Sequence, residues 1–188
     1  MTLYDTFKTI RGNRDSVFID LLGRLEDKPA RILEIGVARD LSSGARQGDG
    51  WSSMHFGEYV SLHGGHLDLV DVSRDSLTNC TALMRSIPTP FLFTTHLADG
   101  RAFLREEAQY DIILIDGSDD PGEMVECFEL AKTRARFILC DDFHVKGSTL
   151  RTIHTQFTLF TWEGNSHEMA LYDTTNPVSL ITPLPSIQ

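Results

Sequence analysis

Four short apolar runs, the first closing on Glu-x-Gly and the other three on an acidic residue, constrain this chain more than any other feature: Arg31-Ile-Leu-Glu-Ile-Gly36, Leu67-Asp-Leu-Val-Asp71, Tyr110-Asp-Ile-Ile-Leu-Ile-Asp116 and Phe137-Ile-Leu-Cys-Asp141-Asp142. Near-continuous Ile, Leu and Val runs of this length read as strands covered on both faces, as in a parallel sheet between helix layers. The first run ends in Glu-x-Gly, and the carboxylates closing the others fall at the sheet edge where open α/β folds bind their ligands.

The beat between the runs supports an α/β reading. Two short helices are expected within 3–25, where Leu3, Phe7, Ile10, Val17, Phe18, Leu21, Leu22 and Leu25 fall at mostly helical spacings. Strand one (31–35) leads into a Gly-, Ser- and charge-rich loop over 37–50, longer than an ordinary βα connection. A helix then starts at Ser52 or Ser53 and ends at His63-Gly64-Gly65. Strand two (67–72), a helix (75–86), strand three (91–95), a short helix (100–107), strand four (111–115), a helix (121–133) and strand five (136–140) follow in regular alternation. A helix near 147–156 precedes a β-hairpin formed by 157–163 and 167–172.

At 188 residues the expectation is a single domain: an N-terminal helical cap (1–28), a Rossmann-like core (30–174) and an extended tail (175–188). A formal net charge of −10 argues against nucleic acid or an anionic membrane as the main partner. Cys80, Cys127 and Cys140 are odd in number and widely spaced, which suggests neither a disulfide framework nor a zinc site. With no signal-peptide pattern and no long apolar run, the expected location is a reducing cytoplasm.

The landmarks Leu33-Glu34-Ile35-Gly36, Val70-Asp71-Val72-Ser73, Ala98-Asp99-Gly100, Ile115-Asp116-Gly117-Ser118 and Cys140-Asp141-Asp142-Phe143 come in an order and spacing that resembles class I S-adenosylmethionine-dependent methyltransferases. Among these the chain is most similar to the divalent-metal-dependent O-methyltransferases of the macrocin and aminocoumarin tailoring type, over roughly residues 30–150. The resemblance implies a seven-stranded, mostly parallel sheet of order 3-2-1-4-5-7-6, helices on both faces and an antiparallel last strand.

It also implies roles for particular residues. Glu34 and Gly36 would belong to the first cofactor motif, Asp71 to the ribose contact, Val72 beside it to the cofactor-binding residues, and Asp99 with Gly100 to the adenine edge. Trp51 and Ser52 would offer backbone N–H groups to the cofactor's carboxylate. Asp116, Asp141 and Asp142 would be ligands of a metal ion such as Mg²⁺, which eases ionisation of the acceptor hydroxyl. Asp116, Asp119 and His144 are the expected catalytic residues; Asp119 stands where many relatives carry His, and Asp119, Asp120 and His144 are the base candidates.

Simpler readings accompany several of these. Asp119-Asp120-Pro121 also reads as a helix start, Asp99 as an N-cap, and Lys146 as an exposed surface lysine. The function expected is methyl transfer to a hydroxyl of a small molecule. Two alternatives stay open: a non-catalytic binding or scaffold protein on the same fold, and a nicotinamide-dependent oxidoreductase. Against the latter, Gly36-Val-Ala-Arg-Asp-Leu41 is not Gly-x-Gly-x-x-Gly. A lid over the cofactor mouth, drawn from the 37–50 loop or borrowed from a second copy of the chain, would suit so short a protein and leaves room for a homo-oligomer.

Overall fold

The computed structural model describes residues 13–41, 52–106, 108–154, 156–161 and 168–175. In chain order these form α1 (Asn13–Gly23), β1 (Ala30–Ile35), α2 (Ser52–His63), β2 (Gly65–Asp71), α3 (Arg74–Arg85), β3 (Phe93–Leu97), α4 (Gly100–Leu104), β4 (Tyr110–Ile115), α5 (Pro121–Ala131), β5 (Ala135–Cys140), α6 (Phe143–Lys146), α7 (Ser148–Ile153), β6 (Thr158–Thr161) and β7 (Glu168–Asp173). Trp51, most of the expected lid, the hairpin turn and the tail beyond Thr175 lie outside the described residues.

The strands make one sheet in the order β3-β2-β1-β4-β5-β7-β6. β1 pairs in parallel with β2 and β4, while β7 runs antiparallel to both β5 and β6. This is the architecture expected from the sequence. Its physical basis is the run pattern: Ile32, Leu33, Glu34 and Ile35 are all buried, because helices cover both faces.

On one face Ile32, Leu67, Leu69, Ile112 and Leu114 pack beneath Phe18, Leu21, Phe56 and Val60 of α1 and α2, together with Leu77 and Met84 of α3. On the other, Leu33, Ile35, Val70, Ile113 and Ile115 meet Leu104, Met124, Phe128 and Leu150. Phe18 locks α1 to α2, its ring stacked on His55 at 4.8 Å and edge-on to Phe56 at 5.6 Å.

Boundaries differ from expectation where local chemistry intervenes. The third strand is Phe93–Leu97 rather than 91–95, paired from Leu67↔Phe93 to Asp71↔Leu97. Strand two begins at Gly65 and ends at Asp71, leaving Val72 in the loop. The helix expected over 100–107 closes at Leu104, and the one expected over 147–156 runs only over Ser148–Ile153, with the separate single turn α6 preceding it on the other side of Gly147. A Cβ on Gly147 would lie 2.4 Å from the Phe143 ring, so only glycine allows the chain to fold back there.

Among the described residues no helix is long and apolar enough to cross a membrane.

Candidate functional site

The C-terminal ends of β1, β2, β4 and β5 meet at a cradle built on backbone contacts. Gly36 N–H donates to the Val70 carbonyl at 2.9 Å, Asp116 N–H to Ile35 at 2.8 Å and Asp141 N–H to Ile115 at 3.1 Å. Gly36 has φ +84, and a Cβ there would lie 2.5 Å from the Asp116 carbonyl oxygen. Its first duty is therefore to let the β1 and β4 turns touch. Gly100 and Gly117 crowd the same strand tip, each facing the Ile35 Cγ2 methyl.

Two cavities open on this cradle and share Gly36, Asp71, Gly117 and Ser118 in their walls. The smaller, about 300 Å³, has apolar walls from Ile35, Val70, Val72, Met124 and Cys127, with Asp99, Arg101 and Glu123 at its polar side. The larger, about 560 Å³, is lined by Ser52, Ser73 and Ser76 near the starts of α2 and α3, and by Asp116, Asp119, Asp141, Asp142 and Lys146.

Asp71 joins the two. Its Oδ2 accepts from Val37 N–H at 3.1 Å and its Oδ1 from Ser73 N–H at 2.7 Å, bracing the loops after β1 and β2. Each carboxylate oxygen retains acceptor capacity after one such bond. Val72 beside it is 69% exposed, an apolar side chain held in the open at a cavity wall.

Asp99 is more committed than the sequence suggests. It caps α4 through Arg101 N–H and Ala102 N–H and takes a bidentate pair from the Arg101 guanidinium at 3.2 and 2.8 Å. That guanidinium hydrogen bond, with the cap bonds, holds its carboxyl down at about 2 against the opposing effect of burial. Arg101 is fixed in turn by Glu123 at 3.2 Å.

Glu34 is fully buried on β1 and lines neither cavity. Ser52 Oγ donates to its Oε1, while Oε2 has no hydrogen-bond partner among the described residues. Burial pushes its carboxyl up to about 7, against the pull of Ser52 and Ser53. It is a support beneath the start of α2.

The acidic cluster differs most from expectation. Lys146, read as a surface lysine, is 3% exposed. Its ammonium lies 3.3 Å from Asp116 Oδ1, 3.5 Å from Asp119 Oδ1 and 3.5 Å from Asp142 Oδ2. Burial alone would lower its pKa, but Asp116, Asp142 and Asp119 together raise it, so the amine is charged. Asp142 adopts a left-handed conformation at φ +48, and its N–H donates to Asp141 Oδ1 at 2.8 Å. Among the described residues no group of three or more Asp, Glu, His or Cys is arranged to hold a metal ion. The expected metal ligands therefore do not fit a divalent ion in this arrangement, because three carboxylates, two of the expected ligands among them, face an ammonium.

Of the base candidates, Asp120 is absorbed as the N-cap of α5, accepting from Gly122 N–H at 2.8 Å with Pro121 in the first turn. His144 lines neither cavity; its Nδ1 accepts from Glu168 N–H at 3.2 Å, which ties it to β7. Asp119 stays at the mouth of the larger cavity with its side chain 99% exposed.

No family model matches the chain, and no curated protein matches it significantly by sequence. Solved structures do match. An rRNA methylase from Streptococcus thermophilus superposes with a TM-score of 0.64 at 7% identity, over 87% of this chain and 97% of that one. The N-methyltransferase NodS from Bradyrhizobium japonicum gives 0.58 at 14% identity, over 85% and 93%. SMU.1697c from Streptococcus mutans, solved in complex with SAH, gives 0.58 at 9% identity, over 87% and 98%. At such identities the likeness establishes the fold, and the chain has the Rossmann-like fold of the methyltransferases.

Proposed function

We propose that the chain is an S-adenosylmethionine-dependent methyltransferase that methylates a hydroxyl of a small molecule. The observation that carries the reading is the pair of confluent cavities at the tips of β1, β2 and β4, one mostly apolar and one acidic, on a methyltransferase sheet. The fold neighbour solved with SAH adds support.

In this reading the nucleoside end takes the smaller cavity, with Val72 against the base, Asp71 accepting from the ribose hydroxyls and Gly100 beneath the adenine edge. Asp99 acts there mainly by holding Arg101. Gly36 and Ser52, with Trp51, take the methionine end, and Glu34 supports Ser52 from below. S-adenosylmethionine supplies an electrophilic methyl on a sulfonium. Bound there, it would supply that methyl group to the acceptor's oxygen, and Asp119 would take the hydroxyl proton.

Five carboxylates and two cations line the larger cavity. That excess of negative charge favours a neutral or cationic acceptor over RNA, although two fold neighbours carry the description rRNA methylase. The test is calorimetric titration with S-adenosylmethionine followed by an acceptor screen of small alcohols, phenols, amines and RNA. Micromolar binding with methylation of a hydroxyl fits the proposal; binding with transfer only to amines or RNA would replace the acceptor class.

A further inference from the structure

We infer that Lys146 is a built-in cation: its ammonium stands, from within the chain, where a divalent ion would otherwise hold the strand-end carboxylates, so the acceptor end of the site is organised without metal. The inference rests on the function proposed above only for the word acceptor; its geometry stands independently.

Three carboxylates reach the same ammonium from different segments. Asp116 leaves the tip of β4, Asp119 comes from the turn before α5, and Asp142 follows β5. At 3.3–3.5 Å all three are within ion-pair range, and the amine carries three donors to meet them. The backbone is shaped for this convergence. Asp142 in the left-handed region starts α6 at once, which brings Lys146 back over it four residues later. Phe143, fully buried, anchors that single turn, and Gly147 closes it.

Charge gives the reason. Carboxylates this close repel and drive one another towards protonation unless a cation lies among them. A buried ammonium meets that need with one positive charge and no exchangeable ligand, and it resists removal by a chelator. A lysine that merely filled space at the surface would not be 3% exposed with its amine facing three acids.

Removing the ammonium should therefore create a demand for an external cation. The experiment is Mn²⁺ titration, by electron paramagnetic resonance and calorimetry, of the full chain, of Lys146→Met and of Lys146→Arg, with folding of each checked by circular dichroism. The wild type should bind no stoichiometric Mn²⁺ at submillimolar concentration. Lys146→Met should bind one ion at least about tenfold more tightly than wild type, and Lys146→Arg, which keeps the charge, should not. Stoichiometric submillimolar Mn²⁺ binding by the wild type overturns the inference even if Lys146→Met does not fold. A folded Lys146→Met that gains no Mn²⁺ site overturns it as well. S-adenosylmethionine binding is measured in parallel: its absence refutes the proposed function and leaves the Mn²⁺ result to decide the role of Lys146.

Discussion

Ser52 Oγ donates to the buried Oε1 of Glu34, linking the first residue of α2 to the C-terminal end of β1. This contact holds an acid inside an otherwise apolar strand whose neighbours in register are Leu69 and Leu114. An acid in that position is tolerated because it is hydrogen-bonded on one oxygen and holds its proton up to about pH 7.

The sign of the consequence follows from linkage. With a folded pKa of about 7 and an ordinary value of 4.5, Glu34 binds its proton more tightly in the folded protein. Below the lower value both states are protonated and nothing is lost. Between the two, rising pH costs stability, by about 3 kcal/mol at most, and above about 7 the loss is constant. Glu34→Gln should flatten this dependence. Thermal melts of both proteins from pH 5 to 8 should diverge, with the wild type losing more; parallel curves would refute a buried, protonated Glu34.

Gly36→Ala should cost about 2 kcal/mol or more, since its left-handed backbone and a Cβ 2.5 Å from the Asp116 carbonyl leave no room for relief. Gly117→Ala meets only a side-chain methyl at 2.9 Å and should cost less. Urea unfolding of the two variants gives the order, and an equal cost would remove the steric argument.

A second acid controls the opposite pH limb. Asp68, 3% exposed on β2, receives His96 at 2.8 Å, Arg31 at 3.2 Å and the Tyr110 hydroxyl at 3.2 Å. Burial would raise its pKa, but the His96 and Arg31 hydrogen bonds outweigh it and the net shift is downward. Its contribution is therefore present above the ordinary carboxylate value and lost as pH falls through the folded one. Asp68→Asn should cost about 1–3 kcal/mol at pH 7, and the difference from wild type should shrink below about pH 4. Denaturant titrations at pH 7 and pH 3.5 measure both.

Cys80, Cys127 and Cys140 are all free and buried, and burial pushes the Cys80 and Cys127 thiols up to about 12 and that of Cys140 higher still. An aromatic disulfide reagent at neutral pH should react slowly with the native protein and with three thiols after unfolding. Prompt reaction of one thiol in the folded state would contradict the packing around it.

The sheet was legible because its signal is local: each buried strand is one apolar run, and the acid closing it marks the tip. Asp71 and Gly36 could be located at that edge for the same reason. The partners of charged side chains were not legible. Lys146 and Asp142 stand four apart, a spacing that would pair them on a helix, but the sequence offers no sign that a left-handed residue starts that helix. Asp116 and Asp119 join them only through the pairing of β4 with β5, a non-local contact. Asp99 illustrates the converse, a residue with both an N-cap and a ligand reading, in which the local cap and its bond to Arg101 dominate. His144 fits neither cavity because its ring faces β7, whose register no sequence pattern near residue 144 reveals.

The central claim, a cofactor seated across Asp71 at the strand tips, is tested most directly by calorimetric titration of S-adenosylmethionine into the wild-type chain and into Asp71→Ala, each with and without a chelator. The account predicts micromolar binding by the wild type that the chelator leaves unchanged, and at least about tenfold weaker binding by folded Asp71→Ala. No heat and no thermal shift with the wild type, or equal affinity in the variant, would contradict it.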